Sequence, residues 1–165
     1  MKKPEEYREI AMQYFTTGMN CSQAVLCTFS DELNINTHTA QMIASSFGGG
    51  MGRLREVCGA CTGMFMCAGL KYGYTDKNPQ DKTAHYARIQ NLAKIYAKRS
   101  GGDSIICREL LGLAPKKASL DPDNPQPAAR TKEYYKKRPC KELVGEAAMI
   151  FAELMQNEGK ILDIN

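Results

Sequence analysis

A chain of 165 residues with 43% apolar and 24% charged side chains can bury a core of its own and is too apolar to be disordered. Its net charge of +4 is too mild to mark a nucleic-acid-binding domain, and no uninterrupted apolar run approaches membrane-spanning length. The start, MKKPEEYREI, has no apolar leader core, so the expectation is one soluble, cytoplasmic domain over residues 1–165 without membrane insertion.

In chain order, PEEYREIAMQYF (Pro4–Phe15) places Pro and two acids in a first helical turn. Tyr7, Ile10, Ala11, Tyr14 and Phe15 then recur at helical spacing. Asn20 can cap a second helix and Thr37 a third, through Met42 to Phe47. The loop FGGGMGRLREV leads into CGACTGMFMCAGLKY (Cys58–Tyr72), which carries no charge before Lys71. A helix apolar on every side belongs in the centre of the fold.

Pro79–Ser100 reads as a long amphipathic helix with Ala84, Ala87, Leu92, Ile95 and Tyr96 inward. Asp103 is positioned to cap a short helix, SIICRELLG, and a last helix runs from about Pro139 to Glu158. Between them lies a surface connection (113–130) that holds four of the seven prolines. No segment alternates with a two-residue period, so the expectation is an all-α bundle of about seven helices around a buried central one.

Seven cysteines (21, 27, 58, 61, 67, 107 and 140) are an odd number in a chain too long to need disulfide staples. Free core thiols, metal ligands and redox thiols remain. Cys21, Cys58 and Cys140 fall at helix starts, where backbone N–H groups favour thiolate, and Arg53 and Arg55 precede Cys58. Cys107 falls in the fourth or fifth position of its helix. The CxxC of Cys58 and Cys61 follows no strand, has no second pair for a zinc ribbon, and lacks ferredoxin spacing. The glycine run fits neither nucleotide-binding fingerprint.

Taken together, NCSQAVL (20–26), GGGMG (48–52), CGACTG (58–63), LKYG (70–73), CRELLG (107–112) and CKELV (140–144) resemble the C_GCAxxG_C_C family of redox-active proteins. The CGAxxG motif is met by Cys58, Gly59, Ala60 and Gly63. The resemblance implies four principal cysteines, Cys21, Cys58, Cys107 and Cys140, with Cys27, Cys61 and Cys67 as extras. It makes Gly59 and Gly63 candidates for clearing space beside a bound centre.

Three functions follow as expectations. Four thiolates could hold a metal centre for electron transfer, iron–sulfur first and zinc or another thiolate-bound metal next. Without metal, Cys58 could attack as a low-pKa thiol and a neighbouring cysteine resolve the product. A helical binding module with structural zinc or buried thiols is the non-catalytic alternative. The partner implied is an unidentified redox protein, and either a monomer or a homodimer is compatible. RTKEYYKKRPCK (130–141) reads as a solvated loop, His85 as an exposed or half-buried position, and Met42, Met51, Met64 and Met66 as core filler.

Overall fold

The nearly chargeless segment after the glycine loop forms the central helix that its composition requires. In a computed structural model, which describes residues 1–75, 77–115 and 124–164, it is the fourth of eight α-helices. These are α1 (Pro4–Thr16), α2 (Cys21–Thr28), α3 (Thr37–Ala44), α4 (Gly59–Tyr72), α5 (Pro79–Arg99), α6 (Cys107–Leu110), α7 (Lys132–Lys137) and α8 (Cys140–Gln156). A 3-10 turn, Ser45–Phe47, follows α3. The described residues form no strand, only one antiparallel bridge between Val57 and Ile106. The all-α expectation holds; residues 116–123 of the proline-rich connection lie outside the described residues.

Helix α1 packs along α8, α2 lies against α4, and α4 also touches α5 and α8. Tyr7 and Phe29 stack with centroids 4.7 Å apart, and the Phe29 ring meets Phe151 edge-on at 4.7 Å. These fully buried rings join α1 and α8 through the end of α2. Truncating Phe29 to alanine would cost about 3–5 kcal/mol. Small residues permit the close approaches: a Cβ on Gly63 would stand 2.8 Å from the Ser22 carbonyl oxygen, and one on Gly145 2.8 Å from the Met12 sulfur.

Side chains set the helix limits. The Asn20 carboxamide accepts from the Gln23 N–H, while Gln23 accepts from the Asn20 N–H, a reciprocal cap at the start of α2. Asn36, rather than Thr37, caps α3 by accepting from His38 and Thr39. Arg130 reaches back to the end of α1, donating to the carbonyls of Phe15 (2.6 Å) and Met19 (3.0 Å). It thereby supplies the positive charge that the last turn of α1 lacks.

Several local expectations are corrected. The short helix does not start at Asp103: that residue is left-handed (φ 49°), and Ile106 is drawn into the bridge with Val57, so α6 begins at Cys107. Residues 132–137 form α7, capped by the Thr131 hydroxyl, where the charge pattern suggested only loop. His85 is buried, not exposed, beneath Tyr74 and beside Arg88, and burial lowers its pKa. Ala84 is exposed because the first turns of α5 extend beyond the core. Met42 is 62% exposed, on the outer face of the short α3, and is not core filler.

Candidate functional site

The glycine loop is a chain reversal built from left-handed residues. Gly49, Gly50, Met51, Gly52, Arg53 and Arg55 all have φ between 58° and 72°. For the three non-glycine residues this conformation costs about 1–2 kcal/mol each. The loop is held by backbone bonds from Arg55 to Gly49 (3.3 Å) and from Glu56 to Gly50 (3.1 Å). The chain then pairs with the segment before α6: Cys107 N–H donates to Glu56 (2.6 Å) and Cys58 N–H to Ile105 (2.7 Å). Two cysteines separated by 49 positions are so locked side by side. A Cβ on Gly50 would fall 2.6 Å from the Cys107 Cβ, so only glycine fits that approach.

Cys21, Cys107 and Cys140 are the first residues of α2, α6 and α8, and Cys58 is the N-cap of α4. All four line one cavity of about 260 Å³. Cys107 therefore stands at a helix start like the other three, because the bridge at Ile106 delays α6. The cavity floor includes Gly48, Gly50 and Gly59. A Cβ on Gly59 would lie 2.8 Å from the Phe47 carbonyl oxygen and 3.2 Å from the Cys21 Cβ. Gly63 does not line the cavity; its missing side chain serves the contact of α4 with α2.

Cys27, Cys61 and Cys67 are buried in the core and are not among the residues lining the cavity. Burial pushes the Cys27 thiol from 9.0 to about 11 and raises Cys61 and Cys67 further. All seven cysteines are free thiols.

Each cavity thiol has its own polar partner. Cys58 Sγ lies 3.3 Å from the Tyr96 hydroxyl, and the Arg55 guanidinium is 3.9 Å from Cys107 Sγ. The neighbouring Cys21 thiol, assisted by Arg138, lowers the Cys140 pKa against the effect of burial, and the same interaction raises Cys21. Burial also raises Cys107, although Arg55 opposes it.

Cys58 is not the acidic thiol that its helix start suggested. It is 6% exposed, and burial drives its pKa up to about 12 despite the Tyr96 contact. Arg55, expected to assist it, turns towards Cys107.

The outer wall carries charge that the sequence reading assigned to a solvated loop. Arg130 and Arg138 both stack on the ring of Tyr134, at 5.7 Å and 5.2 Å, and all three line the cavity. Arg53 and Arg55 line it too, Arg53 donating to the Asn124 carbonyl at 2.6 Å. No Asp or Glu lines it among the described residues. The signal available in the sequence was position: Arg138 stands two residues before Cys140. Tyr96 was legible only as a core residue.

This is a small all-helical protein in which four of the seven cysteines line one cavity together with arginines. The chain belongs to the family described as "Putative redox-active protein (C_GCAxxG_C_C)", whose model matches residues 19–154. No curated protein and no solved structure compared with the chain matches it. No helix among the described residues is long and apolar enough to cross a membrane.

The family description raises the question whether these residues fit a metal centre. Four soft thiolate donors suit iron–sulfur or zinc chemistry. Among the described residues, no three His, Cys, Asp or Glu side chains form a group able to hold a metal ion as they stand. The cavity greatly exceeds the roughly 10–15 Å³ needed for one water. The four cysteines thus share a cavity lining with soft donors and with room for a bound group.

Proposed function

We propose that Cys21, Cys58, Cys107 and Cys140 form one redox centre, and that as thiolates they hold an iron–sulfur cluster for electron transfer to a partner protein. The observation that carries this reading is the convergence of these four cysteines, from four separate helix starts, on one cavity. A bound cluster would supply one-electron chemistry. The chain's own part is to fix the ligands and tune them: Tyr96 beside Cys58 and Arg55 beside Cys107 stabilise sulfur-centred negative charge. Arg138 adds positive potential near Cys107 and Cys140.

The test is anaerobic purification followed by iron, zinc and acid-labile sulfide analysis. Brown protein with iron and sulfide in equal amounts is the expected result. Protein without metal, even after anaerobic reconstitution with iron and sulfide, would overturn the cluster.

A second reading, metal-free dithiol chemistry, is favoured by the shared cavity lining of Cys21 and Cys140 and by the Cys21 thiol, which lowers the Cys140 pKa. In that chemistry the Cys140 thiolate attacks a partner disulfide and releases one partner thiolate, which takes up the Cys21 proton. The Cys21 thiolate then attacks Cys140 in the mixed disulfide and releases the second partner thiolate. Two electrons pass from the Cys21–Cys140 pair to the partner disulfide. Treatment of metal-free protein with oxidised glutathione, followed by peptide mapping, would reveal a Cys21–Cys140 disulfide under this reading and another pairing, or none, if it is wrong.

A further inference from the structure

Beside its four thiols, the cavity lining carries arginines and a tyrosine that the redox reading does not fully use. Arg130 and Arg138 are held against one tyrosine ring, within the wall that also contains Cys140. The partners of Arg130 are the Phe15 and Met19 carbonyls and the Phe15 and Tyr134 rings, none of which cancels its charge. Arg138 likewise stacks on Tyr134. With no Asp or Glu among the described lining residues, two cations face a partly enclosed space. In such a space screening is weak. The Arg138 guanidinium can bind two oxygens of an anion at once, while Arg130, whose Nη1 and Nη2 already donate to Phe15 and Met19, adds charge and its remaining N–H groups.

We propose that Arg130 and Arg138 form a binding site for a small oxyanion, which presents its oxygens to the guanidiniums and the rest of the molecule to Cys140. The ligand class is a carboxylate or a tetrahedral oxyanion small enough for the cavity of about 260 Å³. The site deepens the redox reading by giving the chemical class of small molecule that this cavity admits beside its cysteines. It rests on this cavity being the working site, while its test does not depend on which centre the thiols hold.

Iodoacetate and iodoacetamide alkylate the same thiolate, but only iodoacetate is an oxyanion. Their rate ratio at Cys140 therefore reports anion recognition and cancels any change in the thiolate fraction. The full-length chain would be reduced, stripped of metal by a chelator and alkylated with each reagent, and Cys140 followed by mass spectrometry. Ionic strength would be held constant with sodium chloride.

The expected ratio exceeds that of free cysteine in the same buffer by about tenfold, as a charge-assisted bidentate contact would give. Sulfate, phosphate or acetate should slow the iodoacetate reaction saturably, and comparing the three separates tetrahedral from planar ligands. Arg138→Gln should return the ratio to the free-cysteine value, and Arg99→Gln, whose parent side chain pairs with Glu153, should not. A wild-type ratio equal to that of free cysteine, no competition by any of the three anions, or a Cys140 that neither reagent reaches would each overturn the site. These outcomes need only the wild-type chain, so a misfolded variant does not blunt the test. Metal and sulfide analysis of the unstripped protein independently reports on the cluster.

Discussion

The molecule holds two sets of cysteines that composition alone would not separate. Cys27, Cys61 and Cys67 lie in the core, and burial is the first cause of every pKa shift among them. Cys21, Cys58, Cys107 and Cys140 line a cavity, and each has a polar partner: Cys140 for Cys21, Tyr96 for Cys58 and Arg55 for Cys107. The lesson is that a helix start and a nearby arginine do not by themselves make an acidic thiol. Cys58 has its N-cap position and is nevertheless pushed up to about 12, while Cys140 is lowered chiefly by its interaction with the Cys21 thiol. Partner geometry decides between the sets.

The largest effect should come from damaging the cavity set at its floor. Gly50→Ala places a Cβ against Cys107 at φ 72° and should destabilise the fold by roughly 2–5 kcal/mol in chemical denaturation. Gly101→Ala, at φ 75° with nothing within 4 Å, should cost only about 1 kcal/mol. Equal losses would mean that the approach of Gly50 to Cys107 contributes nothing.

The core set should reveal itself in alkaline solution. Cys27 has its folded pKa raised from 9.0 to about 11, so the folded state keeps a proton that the unfolded chain releases. Its stabilising contribution is complete below about pH 9 and is lost as pH rises through about 11. This amounts to on the order of 2 kcal/mol, and urea denaturation of metal-free protein at pH 8, 10 and 11 would measure it. A shallower decline in Cys27→Ala than in the parent is expected, because the other buried thiols keep their own raised pKa values; identical profiles would contradict the assignment.

Removing a core sulfur should do less. Cys67→Ala leaves a small void among apolar neighbours and should cost about 1–2 kcal/mol, with the metal or dithiol chemistry intact. Loss of that chemistry in a folded Cys67→Ala protein would erase the distinction between the sets. The smallest effect is kinetic: in metal-free protein, alkylation of Cys140 by iodoacetamide should reach half its maximal rate below pH 9.0, and in Cys21→Ala that midpoint should move upward. An unmoved midpoint would mean that the Cys21 thiol does not stabilise the Cys140 thiolate.

The helical architecture was legible because the signals are local. Asn20 caps what it was positioned to cap, Pro79 opens α5, and the lack of charge before Lys71 marks α4 as buried. The cavity cysteines were named through family motifs, and their convergence depends on contacts that no local pattern records. The pairing of Val57 with Ile106, which brings Cys58 and Cys107 together and moves the start of α6, joins residues 49 positions apart. Arg130 and Arg138 were hidden for a related reason: their charge lies in a run typical of solvated loops, and only the docking of α7 turns Tyr134 into their support. Gly63 shows the reverse error, since a glycine inside a motif served helix packing and not the cavity.

The division between the two sets is tested most directly by iron and acid-labile sulfide content per chain in Cys107→Ser and Cys61→Ala. Both proteins would be purified anaerobically and confirmed folded by circular dichroism. Cys61 is the demanding control, because it is one helical turn from Cys58 and completes a CxxC with it. We expect Cys61→Ala to retain the parent's iron and sulfide and Cys107→Ser to lose the centre, since a hydroxyl replaces a soft thiolate poorly. Loss in Cys61→Ala with retention in Cys107→Ser would contradict the four-cysteine centre and return the chemistry to a local dithiol pair.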